Sequence, residues 1–313
     1  MTVPLIVDTD PGVDDAYALA LAVASPEADL RAVTTTYGNV DLDTTTANAR
    51  RLLGMLGRGD VPLGRGAERP LIHPVARRAA DVHGDDGLGG QAERFGPLGP
   101  EPVGRAQDVL ARALEQAPTP AVLVAIGPLT NVALLLATRP DLVPRIGRLV
   151  IMGGAVGTGG NMSASAEFNV WSDPEAARRV LVEETLPTTL VPLDLTHRTA
   201  VDETWLDTLA GSGPVGAALA ATRTPYLAHY TARLGRPAVA LHDAVALLEA
   251  VVPGTLTTTP LPVEVDTSLG PARGTVLADR RGDADATGRT VDVALDADAS
   301  AVTTTLLDRL RRA

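Results

Sequence analysis

Apolar positions along the chain follow two alternating rhythms. A short apolar run at residues 3–7 reads as a buried parallel strand, and short segments at 30–36, rich in β-branched residues, and at 121–126, 148–152 and 188–191 read as further strands. Between them lie longer stretches that mix apolar and polar positions, at residues 14–24, 41–56, 107–116, 127–137 and 174–182, and these read as helices. Ser25-Pro26 and Gly57 supply stops for the first two. Residues 61–63 form a further short strand. Residues 65–104, rich in Gly, Pro, Arg and Asp, read as a long functional loop with irregular helix. Residues 202–251 are mainly helical. The C-terminal part mixes strands at 261–265, 274–277 and 290–295 with a last helix from Ser300. Strands alternating with helices predict an α/β fold with a mostly parallel central sheet and helices on both faces. No repeat, linker or compositional break divides the chain, so residues 1–313 are expected to form a single domain.

Open α/β sheets bind ligands beyond the carboxyl ends of their strands. That rule gathers Asp8, Asp10, Tyr37-Gly38-Asn39, Ile126-Gly127, Gly153-Gly154 and Asp194 on one rim. The most charged part of this rim is Asp8-Thr9-Asp10-Pro11-Gly12-Val13-Asp14-Asp15, where four carboxylates fall between a strand and a helix. A helix N-terminus compensates such charge only in part. A hard divalent cation does so far better. The competing picture is a solvated acidic turn with one Asp capping the helix.

The chain has 313 residues and a net charge of −11. Nucleic-acid binding rests on Lys and Arg neutralising phosphates, so a polyanionic partner is excluded. A single nucleoside, which carries no phosphate, is not. Hydrophobic residues make up 45 % and aromatics 3 %, so Ala, Val and Leu must fill the core. The absence of cysteine removes disulfides, thiolate ligands and a cysteine nucleophile. No signal-peptide pattern and no apolar stretch of membrane-spanning length is apparent, so a soluble cytoplasmic protein without membrane contact is expected.

Gly153 to Gly160 lacks the Gly-Lys-Ser/Thr ending of a phosphate loop and leads into a polar loop. That segment aims Asn161, Glu167 and Asn169 at a polyhydroxylated ligand, because amides and carboxylates match pairs of sugar hydroxyls. His242-Asp243 opens a helix, where Asp243 can add an oxygen ligand and His242 can carry a proton. Tyr226 and Tyr230 lie four apart on one helix face. His83-Gly84-Asp85-Asp86-Gly87 looks like a lid element. Asp283-Ala284-Asp285 reads as a surface turn, Asp292 as a strand end, and Trp171 and His197 as residues of packing and local hydrogen bonding.

Taken in order, Asp8 to Asp15, Tyr37-Gly38-Asn39, His83-Gly84 with Asp86-Gly87, Gly127-Pro128-Leu129-Thr130-Asn131, Met152-Gly153-Gly154, Ala166-Glu167-Phe168-Asn169 and His242-Asp243 resemble the inosine–uridine-preferring nucleoside hydrolase family. The resemblance runs over nearly the whole chain. It implies the nucleoside hydrolase fold with its Rossmann-like core. It also implies a Ca²⁺ held by Asp10, Asp15, Asp243 and the backbone carbonyl of Ile126, where many members have Thr. Asp14, Asn39 and Asn169 would orient the ribose diol, and Asn161 and Glu167 would hold its 5′-hydroxyl. Tyr226, Tyr230 and His83 would lie near the base.

The implied chemistry is hydrolysis of a ribonucleoside to ribose and free base through an oxocarbenium-like transition state, as in nucleoside salvage. Asp10 is the expected general base, His242 the expected acid and Asp8 a support behind them. Two alternatives stand beside it: a hydrolase for an unusual nucleoside, such as nicotinamide riboside or a specialised-metabolite nucleoside, and a non-catalytic calcium-dependent nucleoside-binding protein. A homodimer or homotetramer is expected on resemblance alone.

Overall fold

The computed structural model describes residues 2–282 and 287–313. The expected turn at Asp283-Ala284-Asp285 lies outside the described residues. Among the described residues, ten strands form one sheet: β1 Val3–Thr9, β2 Ala28–Thr35, β3 Leu63–Arg65, β4 Gly104–Arg105, β5 Ala121–Ala125, β6 Ile146–Met152, β7 Thr188–Val191, β8 Thr257–Val265, β9 Val276–Ala278 and β10 Arg289–Asp296. Their order is β4-β3-β2-β1-β5-β6-β7-β10-β8-β9. Every pair from β4 to β10 is parallel, and only β8 runs against its neighbours. The expected mostly parallel α/β architecture is therefore present.

Side chains on a strand alternate between faces, and the two cores follow that alternation. Leu5 and Val7 of β1, with Val124 and Val150, join one core, which also takes in the helices Val13–Ala24, Leu42–Met55, His242–Val251 and Ala299–Leu310. Ile6, with Leu123, Ala125, Leu149 and Ile151, joins the opposite core beneath the helices Ala106–Gln116, Thr130–Thr138 and Pro174–Leu181. Extended to the end of β1, the same alternation sends Thr9 toward the first helix and Asp8 toward the helix starting at Thr130. Both side chains make hydrogen bonds in those directions.

Residues 65–104 form the expected long connection, with a short helix at Ala80–His83 and a 3₁₀ turn at Ala92–Phe95. Two local expectations are corrected. Asp292 sits inside β10, opposite Pro260 of β8 and Thr189 of β7, with its side chain turned outward, so it does not end the strand. The polar segment after the glycines is not all loop. Glu167 caps a helix at Phe168–Ser172 by accepting from the amides of Asn169 and Val170, and the helix carries Asn169. No helix among the described residues is long and apolar enough to cross a membrane.

Candidate active site

The rim at the carboxyl ends of β1, β2, β5, β6 and β7 carries a cleft of about 540 Å³ including its open mouth. Two helices begin there. Val13–Ala24 puts Asp14 and Asp15 in its first turn, and His242–Val251 puts Asp243 in its own. The helices pack on each other, and small residues such as Ala16, Ala20, Ala244 and Ala246 in that core permit a close approach. Their N-termini, each with free N–H groups and a positive dipole end, are thus brought to one acidic cluster.

Asp8, Asp10, Asp14, Asp15 and Asp243 are each at most 5 % exposed. Burial raises every one of their pKa values, Asp8 to about 7 and Asp10 and Asp243 well above the carboxylate range. The mutual repulsion of these charges adds to the shifts of Asp10, Asp14 and Asp243. Asp15 is the best satisfied, accepting from Thr9 Oγ1 at 2.5 Å, Gly12 N at 2.9 Å, Asn39 Nδ2 at 3.0 Å and Asp10 N at 3.2 Å. Carboxylate oxygens of Asp14, Asp15 and Asp243 lie within 4.8 Å of one another. Asp10 is held by Asn39 N at its Oδ2 (2.7 Å), while its buried Oδ1 has no partner. Three converging carboxylates plus an unpartnered buried oxygen form a donor set that fits a hard, oxygen-ligated cation.

Two glycines make room for Asp10. A Cβ on Gly38 would come to 1.9 Å from Asp10 Oδ2, and one on Gly127 to 2.6 Å from Oδ1. Behind Asp10, Asp8 Oδ1 accepts from Thr34 Oγ1 and from Asn131 Nδ2 at 2.8 Å.

The expected sugar-side residues line the same cleft, and each is fixed by the backbone around it. Asn39 Nδ2 donates to Asp10 O and to Asp15 Oδ2. Asn169 Nδ2 donates to the carbonyls of Ile126 (2.9 Å) and Met152 (3.2 Å). Glu167 accepts from the amides of Gly154, Asn169 and Val170, and Asn161 Oδ1 accepts from Phe168 N. Asp194 lies on the rim too, but serves the glycine-rich loop by accepting from Val156 N.

The opposite wall is aromatic. Tyr226 and Tyr230 project from the helix Arg223–Leu234 with ring centroids 4.7 Å apart. Tyr230 Oη lies 2.6 Å from His242 Nε2, and His242 Nδ1 lies 2.6 Å from Thr196 Oγ1. His83 stands 5.2 Å from the Tyr226 ring, and its Nδ1 accepts from Val13 N. Burial pushes the His83 pKa down to about 3 and that of His242 well below 6.5, so both are neutral at pH 7. His197 packs edge-on against His242 and Tyr230, as its packing role requires.

The structure therefore brings every expected site residue to one cleft or its floor. Sequence reasoning did not single out Asn131, Asn48, Thr196 or His229 by their own chemistry. Asn48 Nδ2 ties Pro11 O to Asp86 O, linking the acidic turn to the His83 loop. Arg233 donates to Gly159 O and Gly160 O, strapping the aromatic helix to the sugar-side loop.

Residues 5–304 match the family model described as inosine-uridine preferring nucleoside hydrolase. The pyrimidine-specific ribonucleoside hydrolase RihA of Citrobacter koseri is 37 % identical over 281 residues, covering 89 % of each chain. The non-specific ribonucleoside hydrolase RihC of Escherichia coli strain K12 / DH10B is 40 % identical over 301 residues, covering 95 % of each. Among solved structures, the plant nucleoside hydrolase PpNRh1 superposes with a TM-score of 0.91 at 33 % identity over 98 % of both chains.

Proposed function

We propose, from the premise that this chain belongs to the inosine–uridine preferring nucleoside hydrolase family, that it hydrolyses the N-glycosidic bond of ribonucleosides to ribose and free base with Ca²⁺ as cofactor. The observation that carries the reading is the cluster of buried carboxylates facing a wall of neutral tyrosine and histidine across one cleft. Asp10, Asp15, Asp243 and the Ile126 carbonyl would hold the cation, and the position of Asp14 adds a further oxygen beside Asp15 and Asp243. When bound, such an ion lowers the pKa of water and binds vicinal hydroxyls.

The chain's own residues supply the rest. Asp10, beside the cation it would help to hold, is the base that takes a proton from the attacking water. Asn39, Asp14 and Asn169 fix the ribose diol, while Asn161 and Glu167 fix the 5′ end. The carboxylates stabilise positive charge developing on the sugar in a site that excludes bulk water. On the other side, His242 and Tyr230 form one hydrogen-bonded unit able to deliver a proton to the leaving base. Tyr226 and His83 enclose that base. A purely binding protein would have no use for this acid unit. Residues 1–313 then act as one catalytic unit, with a homodimer or homotetramer as the expected assembly.

A reducing-sugar assay over a nucleoside panel, with and without chelator, tests the reading. Release of ribose that disappears on chelation and returns with Ca²⁺ is expected. No release from any nucleoside in the presence of Ca²⁺ would overturn it.

A further inference from the structure

Three imidazoles line the cleft, and their hydrogen-bonding states differ. Both nitrogens of His242 are engaged, by Tyr230 and Thr196. His83 accepts at Nδ1 from Val13 N, which fixes its proton on Nε2 and makes it a donor toward the cleft. His229 also lines the cleft and is half-buried, yet among the described residues neither of its nitrogens has a hydrogen-bond partner. It sits one residue before Tyr230 on the helix Arg223–Leu234, with its ring 5.0 Å from that of Tyr230 and nearly perpendicular to it. The sugar half of a nucleoside is drawn to the acidic floor and its base to the tyrosines. His229, at the outer side of that wall, then meets the end of the base farthest from the ribose.

We propose that His229 is a specificity-determining residue whose unconstrained imidazole hydrogen-bonds the exocyclic group of the nucleobase. The inference rests on the nucleoside hydrolase reading. A neutral imidazole with no protein partner can take either tautomer. It donates to an exocyclic oxygen, as in uridine and inosine, and accepts from an exocyclic amine, as in cytidine and adenosine. One side chain thereby serves oxo and amino bases alike, and the site discriminates little between them.

The test measures kcat and KM on inosine, adenosine, uridine and cytidine for the wild type and for His229→Ala, His229→Gln and His229→Lys. D-ribose inhibition reports on the sugar half. Loss of one hydrogen bond in His229→Ala is expected to raise KM about three- to tenfold on all four substrates with little change in kcat. His229→Gln, which still both donates and accepts, should stay near wild type. His229→Lys, which only donates, should move the oxo-to-amino ratio of kcat/KM about tenfold toward oxo bases. Inhibition by D-ribose should be the same in all four proteins. Unchanged KM in His229→Ala, or an unchanged ratio in His229→Lys, overturns the assignment. So does a loss in every variant that also weakens D-ribose, because that is structural damage. A wild type that releases no base from any of the four overturns the hydrolase reading itself, and the two failures are thus told apart.

Discussion

Tyr230 Oη lies 2.6 Å from His242 Nε2, and Thr196 Oγ1 occupies the other nitrogen of that imidazole at the same distance. With both nitrogens engaged, the proposed acid role of His242 requires that it act on a leaving base through the tyrosine hydroxyl. Tyr230→Phe keeps the ring and removes that link. It should lower kcat about a hundredfold, with a much smaller change in KM. Steady-state release of base is the readout, and an unchanged kcat would refute the route.

Gly38 and Gly127 leave Asp10 no slack, since a methyl group at either would fall inside contact distance of its carboxylate. Gly38→Ala and Gly127→Ala should each cut turnover by more than about a hundredfold by displacing Asp10, the proposed base. Far-UV circular dichroism should still report a folded chain. Full activity in either variant would mean that the position of Asp10 is not critical.

Removal of divalent cations should make stability fall as pH rises above about 6.5. Burial raises the carboxyls, Asp8 to about 7 from 3.8 and Asp10 and Asp243 further, so the folded chain keeps protons that the unfolded chain has released. Stability from these groups is greatest in acid and is lost as pH climbs through the folded pKa values. The buried imidazoles act oppositely. With pKa values pushed below 6.5, their contribution falls as pH drops and is complete above 6.5. Only the carboxyls therefore slope between about pH 6.5 and about pH 8, each by up to about 1.4 kcal/mol per pH unit. Thermal melts in chelator across that range provide the check, and a flat or rising Tm would contradict it.

Adding Ca²⁺ to the same chelated protein should reverse that loss, because a cation among the carboxylates favours their ionised forms. At a free concentration of about 100 times Kd the gain is about 2.7 kcal/mol. The rise in Tm should be larger at pH 8 than at pH 6. Asp243→Asn, which removes one charge from the set, should shrink it. Equal shifts in wild type and variant would remove Asp243 from the site.

The sheet was largely legible because buried parallel strands leave short segments dominated by apolar and β-branched residues, and the carboxyl-end rule then gathered Asp10, Asn39, Ile126 and Gly153 without knowledge of contacts. Asp243 and His242 could be placed only by the family resemblance, since a His-Asp pair at a helix start is ordinary by itself. Asn131, Asn48 and Thr196 look like plain helix residues, and their importance lies in what the fold brings opposite them: Asp8, Asp86 and His242. His229 was hidden for the opposite reason. It is distinguished by the lack of a hydrogen-bond partner among the described residues, which no spacing in the sequence announces. The capping role of Glu167 was missed because a five-residue helix carries too little periodicity to register.

The order of the strands has a consequence for how the molecule comes into being. β1 is the first strand made, yet its neighbours in the sheet are β2 and β5, and the helix that carries His242 and Asp243 arrives only after β7. During vectorial synthesis the acidic turn therefore leaves the ribosome long before the helix His242–Val251 that packs beside it. A nascent or truncated chain that ends before residue 242 holds Asp10, Asp14 and Asp15 but lacks Asp243 and His242, so the carboxylate cluster is completed only late in synthesis.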